Sequence, residues 1–152
     1  VNIDLSNKKE LLSQLAERAQ GTMTAHLGIE ITDIQTQGLT GRMPVDQRTI
    51  QPTGILHGGA SVTFAETLGS IATYLLIDQT HYSGVGLEIN ANHIRPVPLD
   101  NYVYGQATAV HLGRTTHIWN IAITNEAGKL VCSSRLTMAV VEKAKRPATP
   151  LT

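Results

Sequence analysis

The stretch Gly59-Ala-Ser-Val-Thr-Phe-Ala-Glu-Thr-Leu-Gly-Ser-Ile-Ala-Thr-Tyr-Leu-Leu-Ile77 contains no proline. Ala60, Phe64, Leu68, Ile71 and Leu75 recur in it at steps of three and four, and Ala65, Ala72 and Leu76 widen the stripe. That spacing predicts a helix with a broad apolar face, which should be buried. The opposite side carries a polar line at the same spacing: Thr63, Glu66, Thr67, Ser70 and Thr73. A mostly buried helix with one polar line turns that line toward a cavity, a partner chain, or both.

The chain on either side sets the fold class. Downstream, Val85 to Ile94 alternates, placing Val85, Leu87, Ile89 and Ala91 on one face. Tyr102 to Val110 reads as a second strand and Thr115 to Asn125, through Trp119, Ile121 and Ile123, as a third. The last strand alternates through Leu130, Cys132, Leu136 and Met138 and ends near Glu142. Turn residues at Pro98 to Asn101, Leu112 to Arg114 and Asn125 to Gly128 separate them. Upstream, Ser6 to Gln20 reads as a helix, with Ser6 as N-cap, a periodic Leu12, Leu15, Ala16 and Ala19, and Gly21 at its end. Ile29 to Ile34 and Leu39 to Val45 are short strands around a Gln37-Gly38 turn, and Gln51 to Gly59 is a loop. Helix, two strands, long helix and four strands joined by short turns make an α+β domain, with one buried helix on one curved antiparallel sheet. The expected segments are an N-terminal helical piece at 1–24, the main domain at 25–142 and a tail at 143–152.

Composition narrows the function. A chain of 152 residues with 41% hydrophobic residues fits one soluble globular domain. Lys+Arg and Asp+Glu both total 12. That balance argues against nucleic acid as the main partner, because phosphate binding needs a basic excess or stripe. Lys143 to Arg146 reads as a solvated tail. No apolar run reaches the roughly 18 residues that span a bilayer, and the polar N-terminus lacks a secretory core. The expectation is a cytoplasmic protein without a membrane segment. Cys132 is the one cysteine and falls in an apolar alternating run, so it reads as a buried core thiol. His26, His57, His81, His93, His111 and His117 form no His-x-x-x-His pair, so no metal site is expected. No Gly-x-Ser-x-Gly elbow supports a nucleophilic serine.

The residues suited to chemistry gather between Gln51 and Ser70. His57-Gly58-Gly59 stands where a loop enters the long helix. The first N–H groups of a helix lack internal partners and present positive charge, and glycines let a ligand approach them. Such a terminus can hold a phosphate or the oxygen of a polarised carbonyl. Glu66, about two turns in, is either paired or exposed, or it is a carboxylate lining a pocket; the residues alone leave both open. Ser70 follows at i+4 on the same face. By itself it reads as a small residue bonding back to its own helix.

Gln51, His57, Gly58, Gly59, Glu66 and Gly69-Ser70, with Gly86 to Pro96, Gly113-Arg114 and Ser134-Arg135-Leu136, resemble the active-site pattern of the PaaI-like hot-dog-fold acyl-CoA thioesterases. The likeness is to the branch of the 1,4-dihydroxy-2-naphthoyl-CoA, enterobactin-proofreading and Arthrobacter-type 4-hydroxybenzoyl-CoA thioesterases. The resemblance implies a long central helix wrapped by a curved antiparallel sheet. It also implies hydrolysis of an aryl- or hydroxyaryl-CoA to the free acid and coenzyme A, which is substrate rather than cofactor. Glu66 would be nucleophile or general base, the Gly58 N–H would polarise the thioester carbonyl, and His57 and Gln51 would position thioester and water. Ser70, Thr67, Gly59, Thr53 and Asn92 would border the acyl part, and Arg95, Gly113, Arg114 and Thr115 would meet coenzyme A. Thr53 stands where several such proteins carry an aromatic residue. The same resemblance implies a homodimer or a homotetramer built as a dimer of dimers, with the site across the dimer interface. Two other readings compete: a hot-dog dehydratase or hydratase acting on an acyl thioester, and a non-catalytic acyl-CoA-binding module.

Overall fold

A computed structural model describes residues 2–144. Its elements are α1 (Lys8–Ala19), α2 (Met23–His26), β1 (Glu30–Gln35), β2 (Gly38–Val45), α3 (Gly58–Leu76), β3 (Tyr82–His93), β4 (Asn101–Leu112), β5 (Thr116–Asn125) and β6 (Leu130–Glu142). The strands form one antiparallel sheet in the order β1-β2-β4-β5-β6-β3. Helix α3 lies across its concave face, as expected from the helical stripe, and the sheet curls around it.

Glycines make the seat for that helix. Gly41 of β2 pairs directly with Gly105 of β4. A Cβ on either would press into Leu68 and Phe64. The absence of side chains there lets both, fully buried, sink against the strands. Trp119, Ile121, Ile123, Leu136 and Met138 close the core from β5 and β6, and Cys132 is buried among them as a free thiol. Helix α1 closes one flank through a smaller cluster of Ile3, Leu15 and Ile34, against which Leu75 and Leu76 of α3 pack.

Three expectations need correction, and one element was not expected. Ser6 does not cap α1: Asn7 occupies that position without a side-chain bond, and the Ser6 N–H is drawn to Asp4 Oδ1 at 2.9 Å. The short helix α2 has no apolar period of its own and escapes sequence reading. The alternation of β3 breaks at a bulge between Gly86 and Glu88. Gly86 opposes buried Met138, whereas beyond the bulge Ile89 opposes buried Leu136, so the inward phase slips by one residue. Val85 and Leu87 therefore face out, 48% and 64% exposed. Finally, Thr73 does not share the open polar line of α3. It is fully buried, accepting a hydrogen bond from Trp119 Nε1 at 2.8 Å with His117 Nδ1 3.4 Å away.

Of the expected tail, Lys143 leaves β6 with its N–H on the His81 carbonyl at 2.8 Å. Residues from 145 onward lie outside the described residues.

Candidate active site

The loop before α3 is held from below by Thr49. Its hydroxyl donates to the Pro44 carbonyl at 2.8 Å and receives the Asp46 N–H at 3.0 Å. Its carbonyl receives the His57 N–H at 2.8 Å. His57 then caps the helix: its Nδ1 accepts the Gly59 N–H at 2.8 Å. With Nδ1 an acceptor, the neutral ring carries its proton on Nε2, which remains a free donor. The Gly58 N–H, first in the helix, has no acceptor within it. Gln51 is tied by its backbone to Ile55 and Gly54 at 2.9 Å each. Gln51, Gly58, Ser61, His93 and Arg95 border one cavity of about 450 Å³.

His93 was not among the residues singled out for function. Its ring lies so close over Gly58 that a Cβ there would stand 2.8 Å from Nε2. The signal was present, since His93 lies within the stretch from Gly86 to Pro96, but a lone exposed histidine at a strand end carries no periodicity. Asn92, one residue earlier and exposed, projects to the opposite face of the sheet. Arg95 reaches the cavity edge while its guanidinium donates to the Leu130 carbonyl. Thr53 is exposed in the loop.

Eight residues beyond Gly58, and thus about 12 Å along the axis, Glu66 is half-buried against β3. Its Oε1 points at Gly86, beside the bulge, where any Cβ would collide with it. Ser70 donates to the same oxygen at 3.4 Å and sits 3.7 Å from Met138 Sδ. Burial pushes the Glu66 carboxyl above the ordinary carboxylate range, and the Ser70 bond acts in the opposite sense. Thr63 and Thr67 spend their hydroxyls on the carbonyls of Gly59 and Thr63.

One subunit does not gather every candidate. The Gly113–Thr115 turn is closed by the Gly113 N–H on the Thr116 carbonyl at 2.9 Å. Through Thr116↔Ala139 and Val85↔Ala139 it aligns with the start of β3, while His93 and Arg95 lie at its end. The eight-residue span of β3 separates the two groups by roughly 25 Å. Among the described residues no three His, Cys, Asp or Glu side chains gather as a metal set.

Residues 53–132 match the family model described as the thioesterase superfamily, a segment that begins after β2. A mutant of thioesterase PA1618 from Pseudomonas aeruginosa superposes with a TM-score of 0.84 at 48% identity, covering 87% of this chain and 94% of that one. The 1,4-dihydroxy-2-naphthoyl-CoA hydrolase of Escherichia coli is 45% identical over 88% of this chain and 97% of its own length. The proofreading thioesterase EntH of Klebsiella pneumoniae is likewise 45% identical, over 88% of this chain and 97% of its own.

Proposed function

The chain is a hot-dog-fold member of the thioesterase superfamily, and from that premise we propose that it hydrolyses aryl- or hydroxyaryl-CoA thioesters in the cytoplasm with Glu66 as the reacting carboxylate. The observation that carries the reading is Glu66 itself: a half-buried carboxyl on an apolar helix, aimed at a glycine, with one serine donor and, among the described residues, no cation beside it. Desolvation raises the basicity of such a group and suits it to attack or to take a proton from water.

A thioester carbonyl under attack needs a nucleophile and an oxyanion donor each about 3 Å away. Glu66 and the Gly58 N–H are about 12 Å apart along one helix, and the lean of a helical side chain toward the N-terminus recovers only part of that. Two chains resolve the geometry. Strand β3 is an open edge with exposed Val85, Leu87 and, just beyond it, Ile94, and an edge of this kind is a template for pairing with another chain. Antiparallel pairing of two β3 edges about a two-fold axis sets the Glu66–Gly86 region of one chain opposite the Gly58–His93 region of the other. It also draws the Gly113–Thr115 turn of one chain toward Arg95 of the other, so that both reach one coenzyme A.

In the reaction, either a Glu66 oxygen or a water deprotonated by Glu66 bonds to the carbonyl carbon. The C=O electron pair moves to oxygen, held by the Gly58 N–H and oriented by His57 Nε2–H and Gln51. Collapse expels the coenzyme A thiolate; where Glu66 has attacked, water then cleaves the resulting anhydride. Ser70 lies beside the acyl ring. The test is thiol release from benzoyl- and 4-hydroxybenzoyl-CoA by the wild type and Glu66→Gln. A loss of a hundredfold or more is expected; near-normal turnover by the variant would sink the assignment. A hydratase would release no thiol, and a binding module would turn over nothing.

A further inference from the structure

A line of buried polar groups runs from α3 through β5 to the Gly113–Thr115 turn, and the reaction proposed above does not use it. Trp119 Nε1, a donor only, gives its hydrogen to Thr73 Oγ1 at 2.8 Å. Thr63 and Thr67 spend their hydroxyl hydrogens on carbonyls four residues back. Thr73 makes no such bond among the described residues, and the acceptor beside it is His117 Nδ1 at 3.4 Å. A fully buried hydroxyl left without an acceptor is costly, so Thr73 donates to Nδ1, and the neutral ring carries its proton on Nε2. The ring's other polar neighbour is the Gly113 backbone, which raises its basicity and so meets it through the carbonyl. His117 is 5% exposed, and Trp119 packs edge-on against it with ring centroids 6.4 Å apart. Burial holds the ring below the ordinary histidine range, with the Gly113 bond opposing and the ionisable neighbour His111 acting in the same sense as burial.

We propose that His117 is a positioning residue for coenzyme A: it holds the Gly113–Thr115 turn in register with α3, the helix that carries Glu66. The inference rests on the thioesterase reading and adds to it the residue that sets affinity for the nucleotide end of the substrate. The turn is tied to the sheet by the Gly113 N–H on the Thr116 carbonyl and the Val140 N–H on the Thr115 carbonyl, both at 2.9 Å. Neither bond fixes it against the helix. The Thr73–His117 pair does, from beneath. Thr73 is itself pressed onto β3, since a Cβ on Gly84 would stand 2.8 Å from its Cγ2. It lies seven residues beyond Glu66, about 10.5 Å along the axis, so one rigid element sets both the reacting carboxylate and the base of the turn. Arg114 and Thr115 stand exposed at the tip, a guanidinium and a hydroxyl suited to phosphate oxygens. Charge-assisted bonds to phosphate depend on the direction of each donor. A turn that rocks therefore loses affinity for the nucleotide end and leaves the thioester end undisturbed.

The experiment measures kcat and KM for 4-hydroxybenzoyl-CoA and for 4-hydroxybenzoyl-pantetheine, which lacks the nucleotide, with the wild type, His117→Asn and His117→Gln. An asparagine amide reaches only as far as Nδ1 and keeps Thr73 satisfied, whereas a glutamine amide reaches the Nε2 position and the Gly113 carbonyl. His117→Asn should raise KM for the CoA thioester about threefold to tenfold, the equivalent of one hydrogen bond, at unchanged kcat. His117→Gln should bring it back to within twofold of wild type. The pantetheine thioester, the internal control for folding, should be unaffected by either. An equal change on both substrates makes His117 merely structural, and no change on either makes it idle; each result overturns this inference and leaves the thioesterase reading intact. The wild type supplies a check that stands even if His117→Asn does not fold. Nitrogen NMR spectra of the imidazole rings should show His117 neutral and protonated on Nε2 as the pH falls through the ordinary histidine range, and an Nδ1–H tautomer overturns the inference. A wild type that releases thiol from neither substrate removes the thioesterase reading and this inference with it.

Discussion

Gly86→Ala separates the position of the Glu66 carboxylate from the stability of the fold. A Cβ at residue 86 would stand closer than 3.0 Å to Glu66 Oε1 and 3.4 Å from its Cδ, whereas ordinary contact begins at 3.4 Å. Oε1 must therefore retreat by about half an ångström to an ångström. The atom displaced is the end of a flexible side chain, so the strand itself need not move. Gly86 does not use a left-handed backbone conformation, and replacing such a glycine by alanine typically gains about 0.4–1 kcal/mol through the unfolded chain. That gain offsets most of the local crowding, and the melting temperature should stay within a few degrees of wild type. Catalysis has no such tolerance: misplacing a reacting atom by about 1 Å costs on the order of a hundredfold. The assay pairs thiol release from 4-hydroxybenzoyl-CoA with thermal denaturation. Expected is a kcat/KM lower by about thirtyfold to a hundredfold at nearly unchanged stability. Turnover within threefold of wild type in a well-folded Gly86→Ala protein would refute the claim that β3 positions the reacting oxygen.

Because burial raises the Glu66 carboxyl and the Ser70 bond lowers it, the acid limb of the kcat/KM–pH profile should lie above the ordinary carboxylate range, and Ser70→Ala should move it higher; a limb unmoved in Ser70→Ala contradicts the coupling. The same raised value means that the folded chain binds the Glu66 proton more tightly than the unfolded one. Stability then falls as pH climbs from the ordinary value through the raised one, and Glu66→Gln should flatten that decline in melts taken across the window. Thr73→Val removes the buried acceptor of Trp119 Nε1, which should cost about 1–3 kcal/mol and lower the melting temperature, whereas Thr73→Ser should restore most of it; equal melting of Val and wild type would show the bond to be dispensable. Leu87→Asp on the open β3 edge should shift the sedimenting species from a dimer or larger toward monomer with loss of activity, and a stable, active wild-type monomer at micromolar concentration would contradict the two-chain site.

The fold was legible wherever one period ran unbroken. Phe64, Leu68 and Ala72 gave α3 its buried face, and Trp119, Ile121 and Ile123 gave β5 its inner one; all are buried as read. It was not legible where a local irregularity reset the phase. The bulge after Gly86 inverts Val85 and Leu87, and no composition marks it. Thr73 looked like a neighbour of Ser70 on one polar line, yet three residues of helical rotation carry it under Trp119 instead. At the site, Gly58 was readable as the point where a loop enters the helix, whereas Gln51 and the role of Glu66 came from the family resemblance. The cap formed by His57 Nδ1, the cover of His93 over Gly58 and the roughly 25 Å between Arg95 and the Gly113–Thr115 turn depend on long-range pairing that spacing alone does not express.

The strand order has a consequence for the order of events in synthesis. β6 occupies the slot between β5 and β3, and among the described residues it is the sole strand partner of β3, joining Tyr82 to Glu142 and His93 to Cys132. A nascent chain that has emerged as far as β5 can already seat α3 on β2 and β4, but it holds β3 with no strand to pair, about forty to sixty residues from the one that will receive it. Pairings so distant in sequence form slowly, because the loop must close before any contact repays it. Folding should be completed by the arrival of β6 as a single late step. Until then both edges of β3 are exposed to other chains, and a ribosome that stalls in the last strand releases an aggregation hazard rather than a partly working subunit.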